Sequence, residues 1–168
     1  MKKKNRRLAC FFVAGFLLFC SLPGYAASGT VDMVISAKCS AFTVQMGETT
    51  VTASGGSGTL TFLHSSGRPF VEGSSATLQY ASFARNTPSG LELEADGLAT
   101  FTEDDTLLLL FERRSDSPGS SGEGTLRLTG GTGRFAGVDG QCKYKAENLP
   151  DEWNLVANCQ WLFSFPYR

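Results

Sequence analysis

Beyond residue 26 the chain alternates or clusters its apolar residues in short runs, and groups of Gly, Ser, Asn, Asp and Pro break those runs at close intervals. No window there carries the i, i+3, i+4, i+7 apolar stripe of a capped helix, so the pattern predicts an all-β domain, with strand spacing that suits a barrel or a sandwich. Strands are expected over residues 31–35, 42–52, 59–64, 76–85, 91–95, 98–102, 106–111, 125–129, 141–147 and 154–165. The first two are expected to separate near Cys39. Between the others lie the glycine-rich turn 54–58, a rim loop over 65–75 and the turn 86–90, followed by Asp96-Gly97, whose residue pair favours a type I′ hairpin turn. An acidic turn at 103–105, a Ser/Gly/Pro loop over 115–122 and a turn over 148–153 complete the set. Leu91 and Leu93 alternate with Glu92 and Glu94, the mark of a half-buried strand. The run Leu107-Leu108-Leu109-Leu110-Phe111 lacks that alternation and predicts a strand buried on both faces.

The first 26 residues read differently. Lys2, Lys3, Lys4, Arg6 and Arg7 precede an apolar run from Leu8 to Cys20, and Gly24 and Ala26 supply small residues at −3 and −1. This is the form of a signal peptide cleaved after Ala26, leaving residues 27–168 as one domain. The apolar run is shorter than the ~20 residues a membrane-spanning helix needs. Cleavage also changes the charge, because ten basic residues then face 16 acidic ones, a net charge of −6. An acidic chain without a basic stripe is a poor partner for nucleic acid or anionic lipid. The polar loops and short strands do not sustain the lipid-facing alternation of an outer-membrane barrel, so no stable membrane insertion is expected. The expected location is secreted or periplasmic.

Gly122 to Glu147 contains the densest signal. Leu126 and Leu128 alternate toward a core, Gly130, Gly131 and Gly133 turn the chain, and the stretch from Arg134 through Phe135, Gly137 and Gly140 restarts it. A phosphate-binding loop needs a closing Gly-Lys-Ser/Thr and a following helix, and neither is present. The glycines therefore read as the hinge of a hairpin. The segment G-x-G-x-L-R-L-T-G-G-T-G-R-F-A-G-V-D-G, preceded by A-D-G-L-A-T-F-T-E-D-D-T-L-L-L-L-F, resembles the barrel superfamily of allene oxide cyclases, dirigent proteins and bacterial exported proteins of unassigned role. The resemblance covers about residues 90–147 and implies a single antiparallel β-barrel of about eight strands, with the glycine element at a hairpin. The cyclases isomerise a fatty-acid epoxide and dirigent proteins steer phenoxy-radical coupling, both in an apolar barrel cavity. No active residue of either group maps onto this chain. The leader and the cysteines align it with the bacterial exported members.

Three cysteines remain after cleavage: Cys39, Cys142 and Cys159. An oxidising compartment makes a disulfide the default for two of them. If the last hairpin is centred between Pro150 and Asp151, Cys142 and Cys159 fall opposite each other on one face, with Tyr144 beside the first and Trp161, Phe163 and Phe165 beside the second. That pairing is predicted, with Cys39 bonded to either one as its rival. Cys39 otherwise reads as a buried thiol, against an intermolecular bond or a reactive thiol.

No catalytic constellation emerges. His64 is the only histidine, no Cys/His pair has zinc spacing, and the acidic triplet at 103–105 lacks the alternate oxygens of a calcium loop. Gly56-Ser57-Gly58 lacks the flanks of a hydrolase nucleophile elbow. No metal or cofactor is expected. Cavity candidates are His64, Tyr80 and Glu94, with Glu92 and Glu112 behind them, although half the polar residues of an alternating strand simply face water. The expected function is a non-enzymatic module that binds a small apolar or aromatic ligand, or a protein partner, at the barrel mouth. The alternative is a cyclase or isomerase working in the cavity. A dry core favours a purely structural or surface-binding role, and a pocket of ~300 Å³ or more with converging polar groups favours chemistry.

Overall fold

The computed structural model describes residues 27–115, 121–148 and 152–164. The leader expected over 1–26, the centre of the loop expected over 115–122, the centre of the turn expected over 148–153 and the last residues of the chain lie outside them. Eight strands, β1 (Ala27–Met46), β2 (Thr49–Ser65), β3 (Ser75–Thr87), β4 (Gly90–Thr100), β5 (Thr106–Ser115), β6 (Gly122–Gly131), β7 (Val138–Asn148) and β8 (Glu152–Phe163), follow one another around a closed barrel. Every neighbouring pair is antiparallel, and β1 pairs with β8 to close the ring. The expected all-β, eight-stranded antiparallel barrel is what the chain forms.

Three expected breaks are absent, each for a physical reason. Asp96-Gly97 is not a hairpin turn but the middle of β4. Leu91, Leu93, Ala95, Gly97 and Ala99 point inward without interruption, so the period-two pattern outweighs the local turn preference of the dipeptide. The glycine cluster at 54–58 likewise lies within β2, where it pairs with residues 37–41 of β1. A side chain at Gly56 or Gly58 would collide with the backbone of Lys38 or of Ser36 and Ala37, so these glycines permit close strand approach instead of a turn. The chain reverses earlier, at Gly47, whose φ of 63° suits glycine. Nor does β1 break near Cys39; the strand expected over 42–52 is the tip of the β1–β2 hairpin.

The leucine run of β5 is also corrected. Leu107, Leu109 and Phe111 are buried, whereas Leu108 is 43% exposed, so this strand has one core face and one outer face. After β6 the glycine segment forms a single 3-10 turn, Gly133–Phe135, before β7 begins at Val138. Gly130, Gly133 and Gly137 adopt positive φ there.

The interior is filled unevenly. At one end Phe62, Phe70, Phe101, Phe135 and Trp161 form an aromatic plug, with Phe62 5.1 Å from Phe70 and 5.0 Å from Phe101, and Phe70 5.4 Å from Trp161. Loop 65–75 contributes Phe70 and the 3-10 turn contributes Phe135. Arg134 lies 4.8 Å from the Phe101 ring centre and pairs with Asp105 at 3.5 Å, roofing the plug with a cation. The middle layer holds Met33, Ile35, Leu60, Leu78, Leu109, Leu126 and Leu128. Beyond it Ser54, Ser82, Ala84, Ala95 and Ala146 place small side chains inward, and the barrel opens.

Candidate ligand cavity

Each strand sends alternate residues inward, so the cavity can be followed strand by strand. β1 supplies Cys39 and Ala41, β2 Thr50, Thr52 and Ser54, and β3 Tyr80, Ser82, Ala84 and Asn86. Facing them are Leu91, Leu93 and Ala95 of β4, Phe111 and Arg113 of β5, Tyr144 and Ala146 of β7, and Glu152 and Trp153 of β8. Ser82 and Ala84 continue the inward face that carries Leu78 deeper in the barrel, and Ala95 sits where a larger residue would fill the centre. These small side chains leave a cavity of about 350 Å³.

The cavity has two unlike walls. β2 and β3 present hydroxyls, with Ser54 and Ser82 hydrogen-bonded to each other at 2.5 Å. Asn86 adds a buried Oδ1 that accepts no hydrogen bond among the described residues. The opposite wall is mainly aromatic, with Arg113 and Glu152 as its charged members: Trp153 meets Tyr80 edge-on at 5.2 Å and Phe111 at 6.2 Å, and Phe111 lies 6.2 Å from Tyr144. Room for Tyr144 comes from the neighbouring strand, because a side chain at Gly124 would occupy the space of the Tyr144 ring and hydroxyl.

Both tyrosines are held in their neutral form. Burial pushes the Tyr80 phenol above its ordinary value of 10.0, the Cys39 thiol adds to the rise, and Trp153 opposes it. The Tyr80 hydroxyl donates to the Lys38 carbonyl at 3.3 Å. Burial likewise raises Tyr144, against the opposing charge of Arg113. The Tyr144 hydroxyl donates to the Glu112 carbonyl at 3.5 Å. Arg113 is 4% exposed and donates from Nη2 to the Ser121 carbonyl.

Of the cavity candidates His64, Tyr80, Glu94, Glu92 and Glu112, only Tyr80 lines this cavity. Glu94 projects from the outer face, between Phe83 of β3 and Glu112 of β5, and is exposed. Glu92 and Glu112 share that face. His64 is outside the barrel near the start of β1, 3.9 Å from Glu72, with both side chains largely solvated. The cavity therefore does not bring the candidate acids and the histidine together. Cys142 and Cys159 form the disulfide in the middle layer, and Cys39 is a free thiol in the cavity wall. Among the described residues, no group of three or more His, Cys, Asp and Glu side chains could hold a metal ion.

Sequence reasoning missed Arg113, Tyr144 and Trp153 as lining residues. Their signal was parity: Arg113 continues the inward series Leu107, Leu109, Phe111, and Trp153 continues Trp161, Cys159, Ala157 and Leu155. Compared with known proteins, the chain matches no family model, no curated protein and no solved structure.

Proposed function

We propose that the protein is an exported binding barrel that takes a small, largely apolar or aromatic ligand with one hydrogen-bonding edge into the cavity at its open end. The cavity itself carries this reading: about 350 Å³, with an aromatic wall facing a hydroxyl wall. That volume falls within the ~300–1,000 Å³ range of small-molecule sites, and an apolar lining with a few placed polar groups is their usual composition. A flat ligand would stack on one of Trp153 and Phe111, meet the other edge-on because their rings stand at 78°, and turn its polar edge toward Thr52, Ser54, Ser82 and Asn86. Asn86 Oδ1 is an acceptor suited to a ligand N–H or O–H.

Export is supported by the leader pattern of residues 1–26 and by the Cys142–Cys159 disulfide, a bond that persists in oxidising compartments. The likeness to the allene oxide cyclase and dirigent superfamily is supported by the barrel and by the glycine element between β6 and β7. The charged outer face, with Glu92, Glu94, Arg127 and Lys143, favours a barrel surrounded by water.

A second reading, a cyclase or isomerase, draws on the convergence of Tyr80, Tyr144 and Arg113 on one cavity. Neutral phenols can donate hydrogen bonds to a developing oxyanion. They are poor bases, and the carboxylate that lines the cavity, Glu152, accepts a hydrogen bond from the Ser36 hydroxyl at 2.8 Å, so binding is the leading proposal. Titrating small aromatic compounds against Trp153 fluorescence tests it. Saturable quenching is expected in the native protein and its loss in Ala84→Trp, which fills the cavity; quenching that survives in Ala84→Trp would place the ligand elsewhere.

A further inference from the structure

Strand β6 carries no side chain inward at the open end of the barrel. Leu126 and Leu128 fill the middle layer, but the inward positions that precede them are Gly124 and Gly122. Neighbours occupy both spaces. A side chain at Gly122 would collide with the guanidinium of Arg113 from β5, and one at Gly124 with the ring and hydroxyl of Tyr144 from β7. The two side chains thus reach over the β6 backbone from either side, which only residues without a Cβ allow. Both line the cavity.

The glycines therefore fold a charge into the cavity wall. Arg113 is 4% exposed, and a guanidinium keeps its charge in proteins. Its planar fork matches a carboxylate better than any other side chain does. It has several N–H donors, so the bond from Nη2 to the Ser121 carbonyl and a contact to a ligand can coexist. Its charge reaches the phenol beside it, where it opposes the rise that burial imposes on Tyr144. The Tyr144 hydroxyl is a second donor: its bond to the Glu112 carbonyl is long, at 3.5 Å, and a carboxylate oxygen is the stronger acceptor. The carboxylate of the cavity wall is engaged elsewhere, since Glu152 accepts from Ser36 at 2.8 Å and pairs in register with Lys38.

We infer that the ligand of this cavity is an aromatic acid, whose carboxylate binds the Arg113 guanidinium and the Tyr144 hydroxyl. The inference rests on the proposed binding role and narrows it to one charge class. It also orients the ligand. Around the ring β2 and β3 stand across from β6 and β7, so the carboxylate lies at one end of the ligand and the edge that faces Ser54, Ser82 and Asn86 at the other. The aromatic ring between them meets Trp153 and Phe111. The negative net charge of the chain acts through water and is screened by salt, whereas Arg113 acts at contact distance in a site that burial keeps poor in water.

Calorimetric titration at neutral pH tests it, with a hydroxynaphthoate and the matching hydroxynaphthamide as probes, and near-UV circular dichroism confirming that each variant is folded. The native protein should bind the acid about tenfold or more tighter than the amide, the magnitude of a charge-assisted hydrogen bond. Arg113→Gln should abolish that preference. Arg113→Lys should keep part of it, because the charge remains and the fork is lost. The ratio of the two affinities is the readout, so a variant that merely loosens the cavity weakens both probes and leaves the ratio unchanged. Equal affinities in the native protein, or a preference that survives in Arg113→Gln, would overturn the inference and leave the binding role standing. Failure of both probes to bind the native protein would overturn the two together.

Discussion

At the scale of single residues, burial separates the two tyrosines of the cavity from the polar groups outside it. A phenol raised above 10.0 in the folded chain stays protonated while the same phenol in the unfolded chain ionises. The stabilisation held by the neutral phenols is therefore complete below about pH 10 and is lost as pH rises from there through their folded values. Chemical denaturation at pH 8 and at pH 11 should show a fall in stability for the native protein and a smaller fall for the Tyr80→Phe, Tyr144→Phe double variant. An equal fall in both would mean that other groups govern the alkaline limb. His64 and Glu94 show why residue type alone locates such groups poorly. Both are chemically versatile, but their positions on their strands send them to the water side.

At the scale of elements, the β7–β8 hairpin was the most legible part of the sequence. A turn centred between Pro150 and Asp151 sets Cys142 opposite Cys159, and the observed register does the same from Val138↔Phe163 to Asn148↔Trp153. Period-two burial fixes register strongly when one face is core, since a slip of one residue would send Cys142, Tyr144, Cys159 and Trp161 to solvent. The bond closes a sequence separation of 17 residues, for which loop entropy gives roughly 3 kcal/mol. Replacing both cysteines by alanine should lower the unfolding free energy by about that amount in urea, and reductant should act on the native protein in the same direction. A change well under ~1 kcal/mol would show that packing around the hairpin, not the cross-link, restrains it.

Glycine was the least legible element-level signal. Gly47, within an otherwise unremarkable run, makes a turn, while Gly56, Gly58 and Gly97 lie inside strands. The local pattern predicts turns at Gly56, Gly58 and Gly97 and a strand running through Gly47. What distinguishes them is tertiary: the in-strand glycines sit under a neighbouring backbone or beneath the Phe111 ring, information that no local window contains.

At the scale of the whole molecule, the barrel is packed at one end and open at the other. The plug should tolerate little change: Phe135→Ala removes a fully buried ring and should cost about 3–5 kcal/mol in equilibrium unfolding. A loss below ~1 kcal/mol would mean that the plug collapses around the gap. The all-β class was readable from alternation and turn spacing, which left barrel and sandwich open, but the uneven filling was not, because it depends on which small residues of different strands share a layer. Ser54, Ser82, Ala84, Ala95 and Ala146 come from four strands, and only closure of the ring makes them neighbours. The central claim is that this open layer accepts an aromatic ligand. Its most direct test is a crystal structure of the native protein soaked with naphthalene. The account expects the ring system between Trp153 and Phe111 on one side and Ser82 on the other, with the plug unchanged; a cavity closed by its own side chains and holding no naphthalene would contradict it.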